Sequence, residues 1–226
     1  MQDLGIRILF QGNNFVRLLQ GMWTGFSIAL LAMGLSVFFG TLFGMSMTMK
    51  NRWVQGIGRV YLEFVRIMPQ LVLLFLVYFG AAKHLGIHVS GEMAAILVFT
   101  FWGTAEMGDL VRNALLSVPK HQVDSGLGLG LKKWQVFCCL ILPQTVRGLL
   151  PSTVNLLTRM IKTSSLIVLI GVVEVVKVGK QIIDAARYTE PGAALWVYGM
   201  IFILYFLICY PFSRWAAVLE KKYKEE

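Results

Sequence analysis

The sequence predicts an all-α polytopic membrane protein with about five transmembrane helices. Apolar residues make up 57% of the 226 residues, and the mean hydropathy is +0.68. Only 15% of the residues are charged, whereas an ordinary soluble domain has about 25%. Five stretches approach the roughly 20 apolar residues that a helix needs to cross a bilayer. Composition therefore assigns the chain to the membrane class before any motif is considered.

Two of the five stretches, 26–49 and 192–212, contain no charged residue. The other three are interrupted by charges or prolines. Glu63, Arg66 and Pro69 interrupt 57–82, and Glu106, Asp109 and Arg112 interrupt 92–117. The stretch 136–178 contains two prolines and three charged residues, namely Pro143, Pro151, Arg159, Lys162 and Glu174. The stretch 136–178 is long enough for one span and an irregular or re-entrant helix, so the fourth span has the least certain ends.

Basic residues near the span ends predict the orientation, because Lys and Arg accumulate on the cytoplasmic side. They are frequent in the first connection, the third connection and the C-terminal tail (Lys50, Arg52, Arg59; Lys120, Lys132, Lys133; Arg214, Lys221, Lys222, Lys224). The second connection carries only Lys83, and in the fourth Lys180 and Arg187 are offset by Asp184 and Glu190. This alternation predicts an external N-terminus and a cytoplasmic C-terminus.

The predicted organisation is a single membrane domain with two short flanking segments. Residues 1–20 mix apolar positions with Arg7 and Arg17, a pattern that favours an amphipathic helix on the outer surface. Residues 21–219 form the transmembrane domain, and 220–226 form a cytoplasmic tail. No soluble domain is predicted, so any soluble machinery belongs to other chains.

Composition also argues against several kinds of ligand. The net charge of +9 would suggest nucleic acid in a soluble protein, but in a membrane protein it reflects cytoplasmic positive charge. The three cysteines have no metal-ligand or disulfide spacing. His84 and His88 could form a metal pair at helical spacing, but surface histidines are the simpler interpretation. We therefore predict no metal, cofactor or nucleic acid bound by this chain.

Residues 122–137, "QVDSGLGLGLKKWQVF", combine three alternating glycines with two lysines. A phosphate loop would require Gly-Lys followed by Ser or Thr after a strand, and neither feature is present. Ser117 and Pro119 are typical of a helix start, which predicts a short helix over about 119–128. The glycines would then end that helix and allow another backbone to approach closely. The segment 119–135 is thus suited to docking on the cytoplasmic face.

This segment resembles the cytoplasmic EAA motif of bacterial ABC importer permeases. In "PKHQVDSGLGLGLKKWQVFCCLILP", Asp124, Ser125 and Gly126 occupy the Glu-Ala-Ala positions and Gly130 occupies the position of the anchoring glycine. Residues 141–143, Ile-Leu-Pro, close the motif. The resemblance implies that an ATPase subunit docks on five positions, namely Gln122, Asp124, Ser125, Gly126 and Gly130.

Three further segments are similar to permeases for polar amino acids. "YLEFVRIMPQLVLLFLVYFG" (61–80) resembles their Tyr-x-Glu-x-x-Arg-x-x-Pro segment. "GTAEMGDLVRNALLSVPKHQ" (103–122) resembles their third-span signature, with Asp109 and Arg112 at its acidic and basic positions and Glu106 where an aromatic residue is common. "MIKTSSLIVLIGVVEVVKVGKQI" (160–182) resembles their Ile-Lys-x-Thr-Ser-Leu segment.

The resemblance implies a type I ABC importer permease in the bacterial cytoplasmic membrane. Such a chain is not an enzyme, because ATP and Mg²⁺ bind to separate cytoplasmic ATPase subunits. The implied partners also include the lipid bilayer, a second permease that is identical or paralogous, and an extracellular or periplasmic amino-acid-binding protein. The permease pair would form the translocation pathway, with the substrate site near mid-membrane.

Ionisable residues at membrane depth need a partner or water. Glu63 and Arg66, three residues apart, are interpreted as a structural ion pair. Other charged and polar residues are candidates for the substrate pathway, with structural pairing as the alternative for each charged member: Glu106, Asp109, Arg112, Arg159, Lys162, Thr163 and Ser164.

Two other classes of protein remain as alternatives. A secondary transporter or channel for a small polar solute would share the membrane charges, but it would not require a cytoplasmic docking segment. A membrane enzyme would require a convergent catalytic site, and the predicted topology puts the three histidines, His84, His88 and His121, on opposite sides of the membrane.

Overall fold

The computed structural model describes residues 5–86 and 88–224, which contain helices and connections but no strand. The elements, in chain order, are a 3-10 helix Gly5–Phe10, α1 Asn14–Met47, α2 Arg52–Ile67, α3 Gln70–Leu85, α4 Gly91–Leu116, α5 Lys120–Gly128, α6 Lys133–Val136, a π turn Phe137–Ile141, α7 Leu142–Thr163, a 3-10 helix Ser164–Ile170, α8 Val175–Ala185 and α9 Ala193–Lys224. The predictions for the side chains of Lys83, His84 and Lys224, and those for residues 1–4 and 225–226, lie outside the described part of the chain.

Within this part of the chain, four helical stretches are long and apolar enough to cross a membrane: Asn14–Met47, Gly91–Leu116, Lys133–Ile170 and Ala193–Tyr223. A fifth span results if the bent pair α2 and α3 is counted as one. The prediction of an all-α protein with about five spans is therefore confirmed. Its first and last boundaries are shifted, since α1 begins 12 residues before the predicted 26–49 span and α9 continues through the predicted tail boundary to Lys224.

The stretch 57–82, which the sequence counts as one span interrupted by Pro69, consists of two helices, because the chain breaks at Met68 and Pro69. Met68 has φ −75° and ψ 127°, the extended conformation that a following proline favours. Helix α2 therefore ends at Ile67, and the two helices are bent by 98°. Asn51 starts α2, accepting a 2.9 Å hydrogen bond from the Trp53 backbone N–H.

The prediction of a long, broken fourth region is confirmed. Pro143 lacks the N–H that would bond the carbonyl four residues earlier, and a π turn, Phe137–Ile141, precedes it. Helix α7 then contains Pro151 and passes into a 3-10 helix. Gly171, at φ +87°, ends that helix in the left-handed conformation that glycine adopts without strain.

The chain forms two compact units that cut across the helices. The first contains residues up to Ala32, Gln70–Phe99 and Arg159–Pro211. Its core joins the N-terminal region to α8 and α9 through twelve buried side chains, which are Ile8, Leu9, Leu18, Met22, Val175, Val178, Ile182, Ala186, Ala193, Val197, Ile201 and Leu204. Ile6, Phe10 and Leu19 are exposed, so the apolar positions of the predicted surface segment are only partly buried in protein.

The second unit contains Met33–Pro69, Thr100–Thr158 and the residues from Phe212 onward. Here α1 and α4 meet at glycines, since a Cβ added to Gly44 would lie 2.5 Å from the Gly108 carbonyl oxygen. A Cβ added to Gly40 would likewise lie 2.6 Å from Met107 Cβ. Small residues at this spacing let two membrane helices pack backbone to backbone.

Candidate functional site

The glycine-rich segment folds as the short helix that the sequence predicts, with its start one residue later. Helix α5 runs from Lys120 to Gly128, and Pro119 occupies the position before it without a side-chain cap. The expected capping role of Ser117 is wrong, because its hydroxyl donates backward to the Ala114 carbonyl at 2.8 Å. Ser117 therefore closes α4 instead of opening α5. We call residues 119–131 the α5 segment.

The C-terminal end of α5 depends on Gly130. The Leu131 N–H bonds the Gly126 carbonyl at 3.2 Å, and the Gly130 N–H bonds the Leu127 carbonyl at 3.0 Å. This pair of bonds is the Schellman motif, whose turn residue adopts the left-handed conformation. Gly130 has φ +86°, where a Cβ would be strained. The predicted anchoring glycine is thus fixed by backbone geometry.

The other two glycines of the α5 segment differ in environment. Gly126 is buried, and a Cβ there would lie 2.9 Å from Leu140 Cδ1 and 3.1 Å from Val136 Cγ2. Gly128 faces open space, with no heavy atom within 4 Å of such a Cβ. Gly126 therefore seats α5 directly against α6 and the π turn, whereas Gly128 makes no comparable contact.

The five predicted docking positions divide into surface and structural residues. Asp124 and Ser125 are exposed, and Leu129 beside them is 85% exposed. Gln122 faces the protein instead, where its side-chain oxygen accepts a 2.9 Å hydrogen bond from Gln144 Nε2 on α7. Gln122 and Gln144 also line a 460 Å³ cavity between the ends of α4, α5 and α7. The α5 segment thus offers a small exposed surface and is fastened to α7 beneath it.

A second cluster of predicted residues lies where α2 meets α4. Arg66 donates to Asp109 at 2.5 Å, and Arg112 lies 3.7 Å from the other oxygen of the same carboxylate. The expected Glu63–Arg66 pair is wrong. Asp109 is a less hydrated partner, with 18% of its side chain exposed, while Glu63 lies on the exposed side of α2. A 200 Å³ polar cavity adjoins these residues.

The remaining pathway candidates are not all brought into one cluster. Glu106 is half-buried on α4, one turn before Asp109. Arg159 and Lys162 are exposed and belong to the first unit. The hydroxyls that follow them donate to carbonyls one turn back, Thr163 to Arg159 at 2.9 Å and Ser164 to Ile161 at 2.7 Å. These hydroxyls therefore help to close α7, and Ser164 is buried.

Glu174 is a structural residue that the sequence reasoning treated only as an interruption. It is fully buried and precedes α8, where its two oxygens accept hydrogen bonds from the Val176 and Lys177 backbone N–H groups at 2.9 and 2.8 Å. Burial raises the pKa of Glu174 above its usual range, and the two hydrogen bonds oppose that shift. A carboxylate just before an apolar helix with Lys177 and Lys180 was the signal available in the sequence.

Among the described residues, no group of three or more His, Cys, Asp or Glu side chains could hold a metal ion. Cys138 and Cys139 are exposed and Cys209 is half-buried, all as free thiols. The candidate residues described above form packing contacts, ion pairs and an exposed surface on α5, and they do not converge as a catalytic set.

The described residues combine four or five helical stretches suited to cross a membrane with a short helix, α5, that is packed at Gly126. The family model "Binding-protein-dependent transport system inner membrane component" matches residues 36–225, and the chain belongs to this family. The chain is 33% identical over 206 residues to the "Probable amino-acid ABC transporter permease protein YckA" of Bacillus subtilis (strain 168), covering 88% of this chain and 87% of that protein. The resemblance to amino-acid ABC permeases is therefore confirmed.

Other relatives and solved structures agree. The chain is 27% identical over 208 residues to the "Glutamine transport system permease protein GlnP" of Escherichia coli (strain K12), covering 92% and 93% of the two chains. The "Crystal structure of an amino acid ABC transporter with histidines" matches with a TM-score of 0.81 at 22% identity, over 92% of this chain and 94% of that one. The MetNI methionine ABC transporter in an inward-facing form matches with a TM-score of 0.67 at 19% identity, over 91% and 97%. These two structures support the fold.

Proposed function

We propose that this chain is the permease subunit of an ATP-driven importer for a polar amino acid in the bacterial cytoplasmic membrane. Family membership and amino-acid permease relatives support the transport class. The observation that carries the coupling role is the α5 segment, which exposes Asp124 and Ser125 and is packed at Gly126 against the protein. A partner that moves this surface moves the helices behind it.

The coupling route runs through two contacts. Pressure on α5 reaches α6 and the π turn through Gly126, which is buried and leaves no room for a Cβ beside Val136 and Leu140. It reaches α7 through the hydrogen bond between Gln122 and Gln144. Tightly packed interiors transmit displacement because they do not deform continuously. Helix α7 in turn continues toward Arg159 and Lys162, two of the proposed pathway residues.

The partners follow from this role. Two cytoplasmic ATPase subunits bind ATP and Mg²⁺ and dock on the α5 segment. A second permease, identical or paralogous, completes the pathway, because one set of about five helices encloses none. An external binding protein delivers the amino acid. The names of the family and of its relatives support this assembly.

The substrate contacts remain proposals with different support. Glu106 is the preferred contact for the α-amino group of the substrate, since it lies half-buried on α4 beside the ion-paired end of that helix. The exposed Arg159 and Lys162 supply positive charge for the carboxylate, and Thr163 and Ser164 follow them at the end of α7, where Ser164 is buried. Asp109 and Arg112 already share a cluster with Arg66, which supports a structural role over substrate binding for that pair.

The test is reconstitution in liposomes of the complex purified with its ATPase subunits. We expect uptake of a polar amino acid that requires ATP on the cytoplasmic side and the external binding protein. Uptake by the permease alone, driven by an ion gradient, would favour a secondary transporter or channel. In the coupled system, Glu106→Gln should weaken uptake affinity for at least one transported amino acid. Unchanged affinity for all of them would exclude the substrate role of Glu106.

A further inference from the structure

Helix α2 carries an apolar stripe that its own chain leaves uncovered. Trp53, Ile57, Val60, Phe64 and Ile67 recur at spacings of four and three residues, and four of the five are at least 70% exposed. The opposite side of the helix, with Gly58, Leu62 and Val65, is buried against the protein. This stripe is therefore an exposed apolar face of α2, distinct from the side that packs against the protein.

Cations flank this stripe at the N-terminal end of α2. Lys50, Arg52 and Arg59 are all exposed. Within residues 5–86 and 88–224, neither Arg52 nor Arg59 has an acidic partner at salt-bridge distance, unlike Arg66 on the same helix. A helix with an apolar face, basic flanks and an exposed tryptophan is suited to the membrane interface.

The surface at this end is also shaped to hold a ligand. A 360 Å³ groove is lined by Arg52, Trp53, Gly56, Ile57 and Val60. Its floor is open at Gly56, where an added Cβ would meet no atom within 4 Å. The lining is almost wholly apolar, because Arg52 contributes the aliphatic part of its side chain, while its exposed charge lies at the edge of the groove. The fitting occupant has a hydrocarbon chain and an anionic head.

We infer that this groove binds an anionic phospholipid. The acyl chain lies across Gly56 between Trp53 and Val60, and the phosphate is held by Arg52 at the edge of the groove, with Lys50 adding positive charge nearby. Guanidinium groups bind phosphate oxygens in a bidentate manner. In the proposed topology the lipid belongs to the cytoplasmic leaflet, where anionic headgroups attract basic residues. The inference rests on the proposed membrane location and not on the identity of the transported substrate.

The first experiment measures lipid binding by the full-length chain purified with its partners. The complex is placed in nanodiscs of phosphatidylcholine alone or mixed equally with phosphatidylglycerol, and retained lipids are counted by native mass spectrometry. Arg52→Gln should lower the affinity for phosphatidylglycerol about fivefold, the effect of one basic residue near a membrane surface. Arg52→Lys should retain most of the affinity for phosphatidylglycerol. Lys222→Gln, which removes a positive charge on α9, should leave that affinity unchanged.

A second variant separates the groove from general surface charge. Gly56→Leu fills the notch without changing charge, so it should release the bound lipid, whereas Gly34→Leu places the same side chain at another open, exposed helical glycine and should not. If Arg52→Gln and Gly56→Leu both retained phosphatidylglycerol like the parent complex, the site would not exist.

A photo-cross-link identifies what covers the stripe in the membrane. With p-benzoylphenylalanine in place of Ile57, illumination of native membranes should give a phospholipid adduct, read by mass spectrometry. A covalent dimer of the permease at this position would overturn the proposal, because the stripe would then be an interface between two permeases. Amino-acid uptake is not used as the readout, so failure of the proposed transport function would be seen separately.

Discussion

The buried glycine of α5 gives the sharpest prediction, because the same helix supplies its own control. Gly126→Leu would introduce a side chain where even a Cβ lies 2.9 Å from Leu140 Cδ1 and 3.1 Å from Val136 Cγ2. Gly128→Leu introduces the same side chain two residues away, where nothing lies within 4 Å. Both changes gain similar helix propensity, so their difference isolates the packing.

The expected cost follows from overpacking. Forcing extra carbon atoms into a packed site costs about 1–3 kcal/mol, and here the upper part of that range applies. Leu140 can rotate its end away, but Val136 is β-branched and stiff. Local opening of the α5 segment should therefore become about 30- to 150-fold more frequent in Gly126→Leu than in Gly128→Leu.

Hydrogen–deuterium exchange of peptides covering 119–141 in the purified complex measures this opening. Protection should fall in Gly126→Leu and remain at the parent level in Gly128→Leu. ATP hydrolysis should continue in Gly126→Leu while uptake falls, because the docking surface persists and its support is displaced. Equal protection in the two variants would refute the reasoning that α5 is seated through Gly126.

Three further predictions concern the cluster, the turn and the buried acid. Arg66→Gln should lower the free energy of unfolding by about 1–2 kcal/mol in denaturant titrations, a small value because 48% of the Arg66 side chain is exposed. Glu63→Gln should have little effect. Equal losses in the two variants would indicate that Arg66 pairs with Glu63. Gly130→Ala should cost about 1–2 kcal/mol through the left-handed φ of +86°, with Gly130→Asn costing less in the same titrations, and equal stability of the two variants would contradict the turn. Because burial raises the pKa of Glu174, the folded state keeps a proton that the unfolded state loses, and stability falls as the pH rises between the two pKa values. Glu174→Gln should flatten that slope in thermal unfolding, and an unchanged slope would assign it to other groups.

The sequence was sufficient where periodicity and local backbone rules decide the structure. Span number follows from apolar length, and the end of α5 at Gly128 follows from the glycines that come next. The break before Pro143 likewise reflects a missing N–H. These features depend on a few neighbouring residues. The motifs around Asp124 and Asp109 made it possible to identify the family from the sequence.

The sequence was insufficient where the outcome depends on partners distant along the chain. Arg66 could bind Glu63 three residues away or Asp109 on α4, and only packing shows that the less hydrated carboxylate wins. Ser117 could cap either of two helices. Gly126 and Gly128 look alike in sequence, yet only one faces a neighbouring helix. The sequence marked Pro69 as an interruption of 57–82, but the 98° bend there could not be predicted, because apolar length does not give the angle between two helices.

The central claim is that the α5 segment couples this permease to an ATPase. The most direct measurement is to purify the chain gently from its native membrane with p-benzoylphenylalanine at Asp124, illuminate it, and identify the cross-linked protein by mass spectrometry. The account predicts an ATPase subunit with a Walker A loop, and the same sample would show whether a second permease is present. A chain that purifies alone, forms no cross-link at this position and still transports would contradict it.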